Sequence, residues 1–190
     1  MVTRTALERF MSELGRAAHG PGRVYLSGGA AAVLKGWREM TIDIDLKLDP
    51  EPPGAFAAIA RLKDELDLSV ELAAPEDFIP KLPEQDERRE TLGMRGPVEF
   101  SITDFYAQAL SKIERGHERD LADVDAMVRL GLVVPHRLVE LYDAIKPRLE
   151  RYPRIDARTF DVKVAEFMRC HGVPADGGRP ARPRFDPRGP

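Results

Sequence analysis

The chain has 190 residues, enough for one substantial hydrophobic core with or without a helical appendage. Its 29 Lys and Arg against 32 Asp and Glu leave a formal charge of -3, so the bulk electrostatics do not announce a nucleic-acid binder, while a local basic groove stays compatible with them. The single Cys170 excludes an internal disulfide and a cysteine-based zinc site, the four histidines match no ligand spacing, and there is neither an apolar run of about 18 residues nor an apolar leader, so a cytoplasmic protein with no membrane partner is expected.

Ala6, Phe10, Met11, Leu14 and Ala17 or Ala18 recur at helical spacing and predict an amphipathic helix over residues 3–18, stopped by His19-Gly20-Pro21-Gly22. Val24 to Leu26 reads as a short apolar strand, followed by the turn Ser27-Gly28-Gly29 and an alanine-rich helix starting near Ala30. Glycines in such a turn let backbone N–H groups approach an anion, and the helix behind adds unpaired donors and the positive end of its dipole. By itself the Gly-Gly turn is weak evidence, because it is common in α/β proteins of every function.

Thr41 to Leu48 alternates strictly between polar and apolar residues, the period of a half-buried strand. Ile42, Ile44, Leu46 and Leu48 are assigned to the core face. Asp43 and Asp45 then share the other face, with Cα atoms about 6.7 Å apart. A plain solvated face, extended by Lys47 and Asp49, is the ordinary alternative. Strand, Gly-Gly turn, helix and Asp-x-Asp strand together make one compact unit that brings turn and carboxylates to one edge. Two carboxylates at that spacing repel unless cations neutralise them, which points to magnesium and a nucleotide.

After the break at Pro50 to Gly54, Phe56, Ile59, Ala60, Leu62 and Leu66 predict another helix. Residues 67–73 alternate again, with Leu68, Val70 and Leu72 inward and Glu71 outward. Strands and helices in this order predict α/β architecture. Residues 75–96 form a charged loop leading into short strands near 89–94 and 97–102. Helices follow: one capped by Thr103 or Ser101 with Phe105, Ala109, Leu110 and Ile113 on one face; one from Glu118 to Leu130 with Leu121, Val124, Met127 and Val128 inward; one opened by Pro135; one over 157–169. The expected fold class is α/β (α+β), a small mixed sheet with flanking helices and then a C-terminal helical bundle. The expected division is 1–102 core, 103–171 helical subdomain and 172–190 disordered tail.

Leu26-Ser27-Gly28-Gly29 followed by Asp43-Ile44-Asp45 resembles the signature of the nucleotidyltransferases of the DNA polymerase beta type. Within that superfamily the chain looks most like small bacterial nucleotidyltransferase-like proteins related to the AbiEii toxins of abortive-infection and toxin-antitoxin loci. Asp77-Phe78-Ile79-Pro80, the stretch from Asp104 to Gly116, and Arg119-Asp120 with Asp123 extend the likeness, which covers roughly residues 20–170. The resemblance implies Mg2+ or Mn2+ held by Asp43, Asp45 and a third acid from the third strand, for which alternation nominates Glu71. It implies an NTP whose phosphates meet Ser27, Gly28 and Gly29, an RNA, protein or small-molecule acceptor, and a cognate toxin or antitoxin partner. Gly29 stands where many active members carry Ser.

Lys112, Arg115, Asp120 and Asp123 form a second charged cluster on two helices. Surface salt bridges of about 0 to 1 kcal/mol each would explain it. Functionally, Lys112 or Arg115 reaches back over the phosphates, with Asp104 and Asp120 orienting them, and the resemblance implies that Lys112 and Asp120 belong to the active site. Lys35 and Lys47 are further phosphate candidates, and Trp37 and Tyr106 candidates to stack a base. The functional expectation is transfer of NMP from an NTP to an acceptor hydroxyl. The alternatives are a catalytically inactive binding module acting as antitoxin or nucleotide sensor and, last, a glycosyltransferase.

Overall fold

The computed structural model describes residues 1–173, so the tail expected to be disordered lies, from Pro174 onward, outside the described residues. Strand β1 (Val2–Thr3) leads into helix α1 (Arg4–Ala17), whose first turn is capped by the Thr3 side chain accepting from Ala6 N–H. Strand β2 (Gly22–Ser27) runs straight into helix α2 (Gly28–Lys35), two residues earlier than the sequence suggests. Gly36 ends α2 at φ +87°, a left-handed cap that glycine adopts without strain. Strand β3 (Met40–Thr41) pairs antiparallel with β1, and strand β4 (Asp43–Leu48) follows at once. Helix α3 (Ala55–Leu66) and strand β5 (Ser69–Leu72) complete the first half.

After two 3-10 turns come strands β6 (Glu90–Arg95) and β7 (Val98–Ile102), close to their expected places. Helices α4 (Phe105–Arg115), α5 (Glu118–Arg129), α6 (Pro135–Ile145) and α7 (Ala157–Cys170) follow. Asp104, rather than Thr103 or Ser101, caps α4 by accepting from Tyr106 N–H. The fold is mixed α/β. Among the described residues the main sheet has five strands in the order β5-β4-β2-β7-β6, with β4 and β7 antiparallel and parallel to β2, β5 parallel to β4, and β6 antiparallel to β7. No helix among these residues is long and apolar enough to cross a membrane.

Two apolar clusters organise the chain. Leu7, Phe10 and Leu14 of α1 and Ala58, Ile59 and Leu62 of α3 pack on Val24, Leu26, Ile44, Leu46, Val70 and Phe100 of the sheet. Alternation along those strands sends Ser27, Asp43, Asp45 and Glu71 to the opposite face. The second cluster holds Leu110, Ile113, Val124, Met127, Leu138, Tyr142, Phe160 and Val164 from the last four helices, together with Ala31 of α2 and Ile79. This half packs beside the face that carries the carboxylates.

Several apolar positions depart from the expected pattern, among them Phe56 and Ala60 of α3, which face solvent. Ile42 is 58% exposed because it falls in the bend before β4, not in the strand. Leu72 closes the edge strand outside the α3-covered cluster and is 60% exposed. Leu121 is 43% exposed because α5 turns Asp120 and Asp123 inward with Val124 and Met127. Burying carboxylates in place of a leucine needs partners.

Candidate metal and phosphate site

Ser27, Asp45 and Glu71 lie in register across β2, β4 and β5, forming one row at the edge of the polar face. Asp43, two residues back on the same strand, shares that face. Carboxylate oxygens of Asp43, Asp45 and Glu71 come within 4.8 Å of one another, the arrangement that the Asp-x-Asp strand and the alternation of β5 predict. Burial, then the charges of Asp43 and Glu71, push the Asp45 carboxyl up to about 6, against the opposing pull of Lys112 and Arg115. Three hard oxygen donors crowded together, one held above the usual carboxylate range by burial and by its acidic neighbours, fit a divalent cation such as Mg2+ or Mn2+.

The Gly-Gly turn is pressed against these acids. Gly28 has φ +56°, and a Cβ built on it would overlap Asp45 Oδ2. A Cβ on Gly29 would overlap Thr41 Oγ1. Contact therefore disfavours a side chain at both glycines, and at Gly28 the left-handed backbone does so as well. Ser27 makes no side-chain cap to α2, and its hydroxyl donates instead to Ala73 O at 3.5 Å. Gly28 N–H is not open to a phosphate: it donates to Gln108 Oε1 at 2.9 Å, while Gln108 Nε2 donates to Thr103 O at 2.8 Å. The N–H groups of Gly29 and Ala30, in the first turn of α2, have no carbonyl of the helix within reach.

Turn and carboxylates open on a shared cavity of about 290 Å³, small for a ligand cleft and also lined by Lys112, Arg115, Arg119, Arg38 and Asp120. Four acidic and four basic side chains line it. Divalent cations on the acids would tip this balance strongly positive and favour a polyanion.

The second charged cluster is not a surface feature. Lys112 is 4% exposed, and its ammonium donates to Asp123 at 2.7 Å and Asp120 at 3.1 Å. Arg115 donates to both oxygens of Asp120 at 2.8 and 3.1 Å. Burial raises the Asp120 carboxyl, yet the hydrogen bonds from Arg115 and Lys112 with their charges bring it below its ordinary value. Asp123 gathers the network, accepting from Lys112, from Arg38 through two bonds of 2.6 and 2.8 Å, and from Trp37 Nε1 at 3.0 Å. The loop after α2 is thereby tied to α4 and α5.

Several expected site residues lie elsewhere. Lys35 is paired with Glu90 at 2.9 Å and does not line the cavity. Lys47, on the same strand face as the aspartates, points its ammonium away to Asp49 and Glu76 at 3.3 and 3.4 Å. Asp104 orients neither Lys112 nor Arg115; it caps α4 and takes Arg88 at 2.8 Å. Trp37 is held by Asp123 and by an edge contact with Phe105, the Tyr106 hydroxyl accepts from Val134 N–H, and neither ring lines the cavity.

Arg38, Thr41 and Gln108 line the cavity without having been expected there, as does Arg119, named only within the family likeness. Gln108 carried a signal, since it sits three residues after Phe105 and four before Lys112 on one stripe of α4. Arg38 carried none, because its role arises from an ion pair 85 residues distant in sequence. Comparison with protein families, with curated proteins and with solved structures yields no match to this chain.

Proposed function

We propose that the chain is a metal-dependent nucleotidyltransferase that moves NMP from a nucleoside triphosphate to an acceptor hydroxyl. The observation that carries this reading is the clustering of Asp43, Asp45 and Glu71 within 4.8 Å, directly against the Gly28-Gly29 turn in one cavity. Asp43, Asp45 and Glu71 would hold Mg2+ or Mn2+. When bound, the metal supplies Lewis-acid activation of the acceptor hydroxyl and neutralisation of charge on the departing pyrophosphate.

The chain's own groups do the rest. The Gly29 N–H group, at the positive end of α2, binds a phosphate oxygen. Gln108 holds the turn in place through Gly28. Arg115 and Arg119, exposed at the cavity, add positive charge where the triphosphate enters, and Lys112, braced by Asp120 and Asp123, places a fixed ammonium behind it. The acceptor oxygen attacks the α-phosphorus as the bond to the bridging oxygen breaks, releasing pyrophosphate. An acceptor among RNA, proteins or small molecules, and a place in a toxin-antitoxin or phage-defence system, accord with this chemistry.

The test is incubation with each α-phosphate-labelled NTP, Mg2+ or Mn2+, and RNA, protein or small-molecule acceptors, following label transfer and pyrophosphate release. Wild type is expected to transfer label, and Asp43→Asn and Asp45→Asn to lose it. Equal label from wild type and both variants would remove the proposal. Metal-dependent NTP binding with no pyrophosphate on any acceptor would favour the binding-module alternative.

A further inference from the structure

Thr41 has a hydroxyl that the fold itself does not use. The residue is 1% exposed, is anchored in β3 by its pairing with Val2 of β1, and lines the cavity beside the Gly-Gly turn. No hydrogen bond joins its Oγ1 to any other described residue. Among the described residues the fully buried side-chain atom left without a partner is Glu76 Oε2, so Thr41 Oγ1 is not sealed off but keeps access to the cavity that the residue lines. The hydroxyl also has a direction. Its oxygen occupies the place that a Cβ on Gly29 would take, and its own Cβ lies 2.7 Å from that point, so it stands at the first turn of α2.

Two donors therefore meet at one end of the cavity: the N–H of Gly29 and the O–H of Thr41. Gly28 N–H, which would otherwise be the third, is taken by Gln108 Oε1 at 2.9 Å. Converging donors with no protein acceptor suit an anion, and the eight-residue α2 adds the field of its dipole. We propose that Thr41 is a phosphate ligand, its hydroxyl donating to a non-bridging oxygen of the polyphosphate chain seated on Gly29. The inference rests on the nucleotide reading of the same cavity and names a ligand that reading lacks.

The test is calorimetric titration of inorganic tripolyphosphate, in saturating Mg2+, into wild type, Thr41→Ser, Thr41→Ala and Thr41→Val. Mn2+ binding to each protein, followed by electron paramagnetic resonance without polyphosphate, reports the carboxylate triad separately. Loss of a hydrogen bond to a charged oxygen predicts affinity roughly ten- to a hundredfold weaker in Thr41→Ala and Thr41→Val. Thr41→Ser, which keeps the hydroxyl, is expected to stay close to wild type, and Mn2+ binding to be unchanged in all four. The Ser and Ala variants differ only in the hydroxyl, so this pair decides the matter even if Thr41→Val does not fold. Equal tripolyphosphate affinity in Ser and Ala would overturn the role of Thr41 and leave the nucleotide reading standing. Failure of wild type to bind tripolyphosphate while still binding Mn2+ would overturn both.

Discussion

Glu71 stands directly beside Asp45 across the parallel strands β4 and β5, and Ser27 stands on the other side of Asp45 in β2. Ser27, Asp45 and Glu71 therefore form a single row, with Asp43 two residues back on the same face of β4, and Asp45 sits at the centre of the row with Gly28 packed on its carboxylate. Each neighbour of Asp45 restricts it: Asp43 and Glu71 by charge, Gly28 by volume.

Removing one carboxylate is expected to weaken metal binding and to relieve repulsion in the metal-free protein. Asp45→Asn should lose Mn2+ binding while its metal-free thermal midpoint stays at or above that of wild type. Glu71→Gln should weaken Mn2+ binding too. Calorimetric titration and thermal melts with and without Mn2+ check both. A lowered metal-free midpoint in Asp45→Asn would contradict the repulsion.

The pH dependence follows from Asp45. Its carboxyl is raised to about 6 in the folded chain from an unfolded value of 3.8, so between those values the folded state binds more protons than the unfolded one. Its contribution to stability is fully present below about 4 and is lost as pH rises through about 6. Comparing metal-free wild type with Asp45→Asn between pH 4 and 7 should show the wild-type midpoint falling relative to the variant. Saturating Mg2+ should reverse the trend, since metal binds the ionised form.

Gly28→Ala tests the contact between turn and acid. A non-glycine residue at φ +56° costs about 1–2 kcal/mol, and the added methyl must also displace the Asp45 carboxylate. Both a lower melting temperature and weaker Mn2+ binding are expected. A variant that lost stability alone would show that the turn and the acids are not mechanically coupled.

Asp123→Ala should be among the most damaging substitutions outside the triad. Asp123 is 2% exposed and is shared by Lys112, Arg38 and Trp37, so its removal strips a partner from two cations and costs about 3–5 kcal/mol. Lys112→Met should cost less, because Asp123 keeps Arg38 and Trp37 and Asp120 keeps Arg115. Denaturant unfolding of the two variants gives the order.

Lys35→Ala and Lys47→Ala should leave tripolyphosphate binding unchanged and move stability by no more than about 1 kcal/mol, the range of partly exposed ion pairs. Arg115→Ala and Arg119→Ala, at the cavity itself, should weaken that binding. A loss in the lysine variants comparable to the arginine ones would mean the phosphates lie elsewhere.

Much of this was legible in the amino-acid order, because it depends on local rules. Period-two alternation set Asp43 and Asp45 on one face and Glu71 on the matching face of its own strand, and helical spacing found the apolar stripes of α4, α6 and α7. Alternation assigns a face within one strand, however, and says nothing about which strands adjoin. Only the strand order β5-β4-β2 brought Glu71 to Asp45, and only the packing of α4 and α5 beside the sheet turned Lys112, Asp120 and Asp123 inward. The same limit explains Lys35 and Lys47, whose chain positions beside the motif could not reveal that Glu90 and Glu76 draw them away. Residue order was enough to place the carboxylates and the turn, because these follow from the periods of strand and helix. The tertiary structure alone decided which cations, which glutamine and which threonine hydroxyl join them, because those contacts are made between elements far apart in the chain.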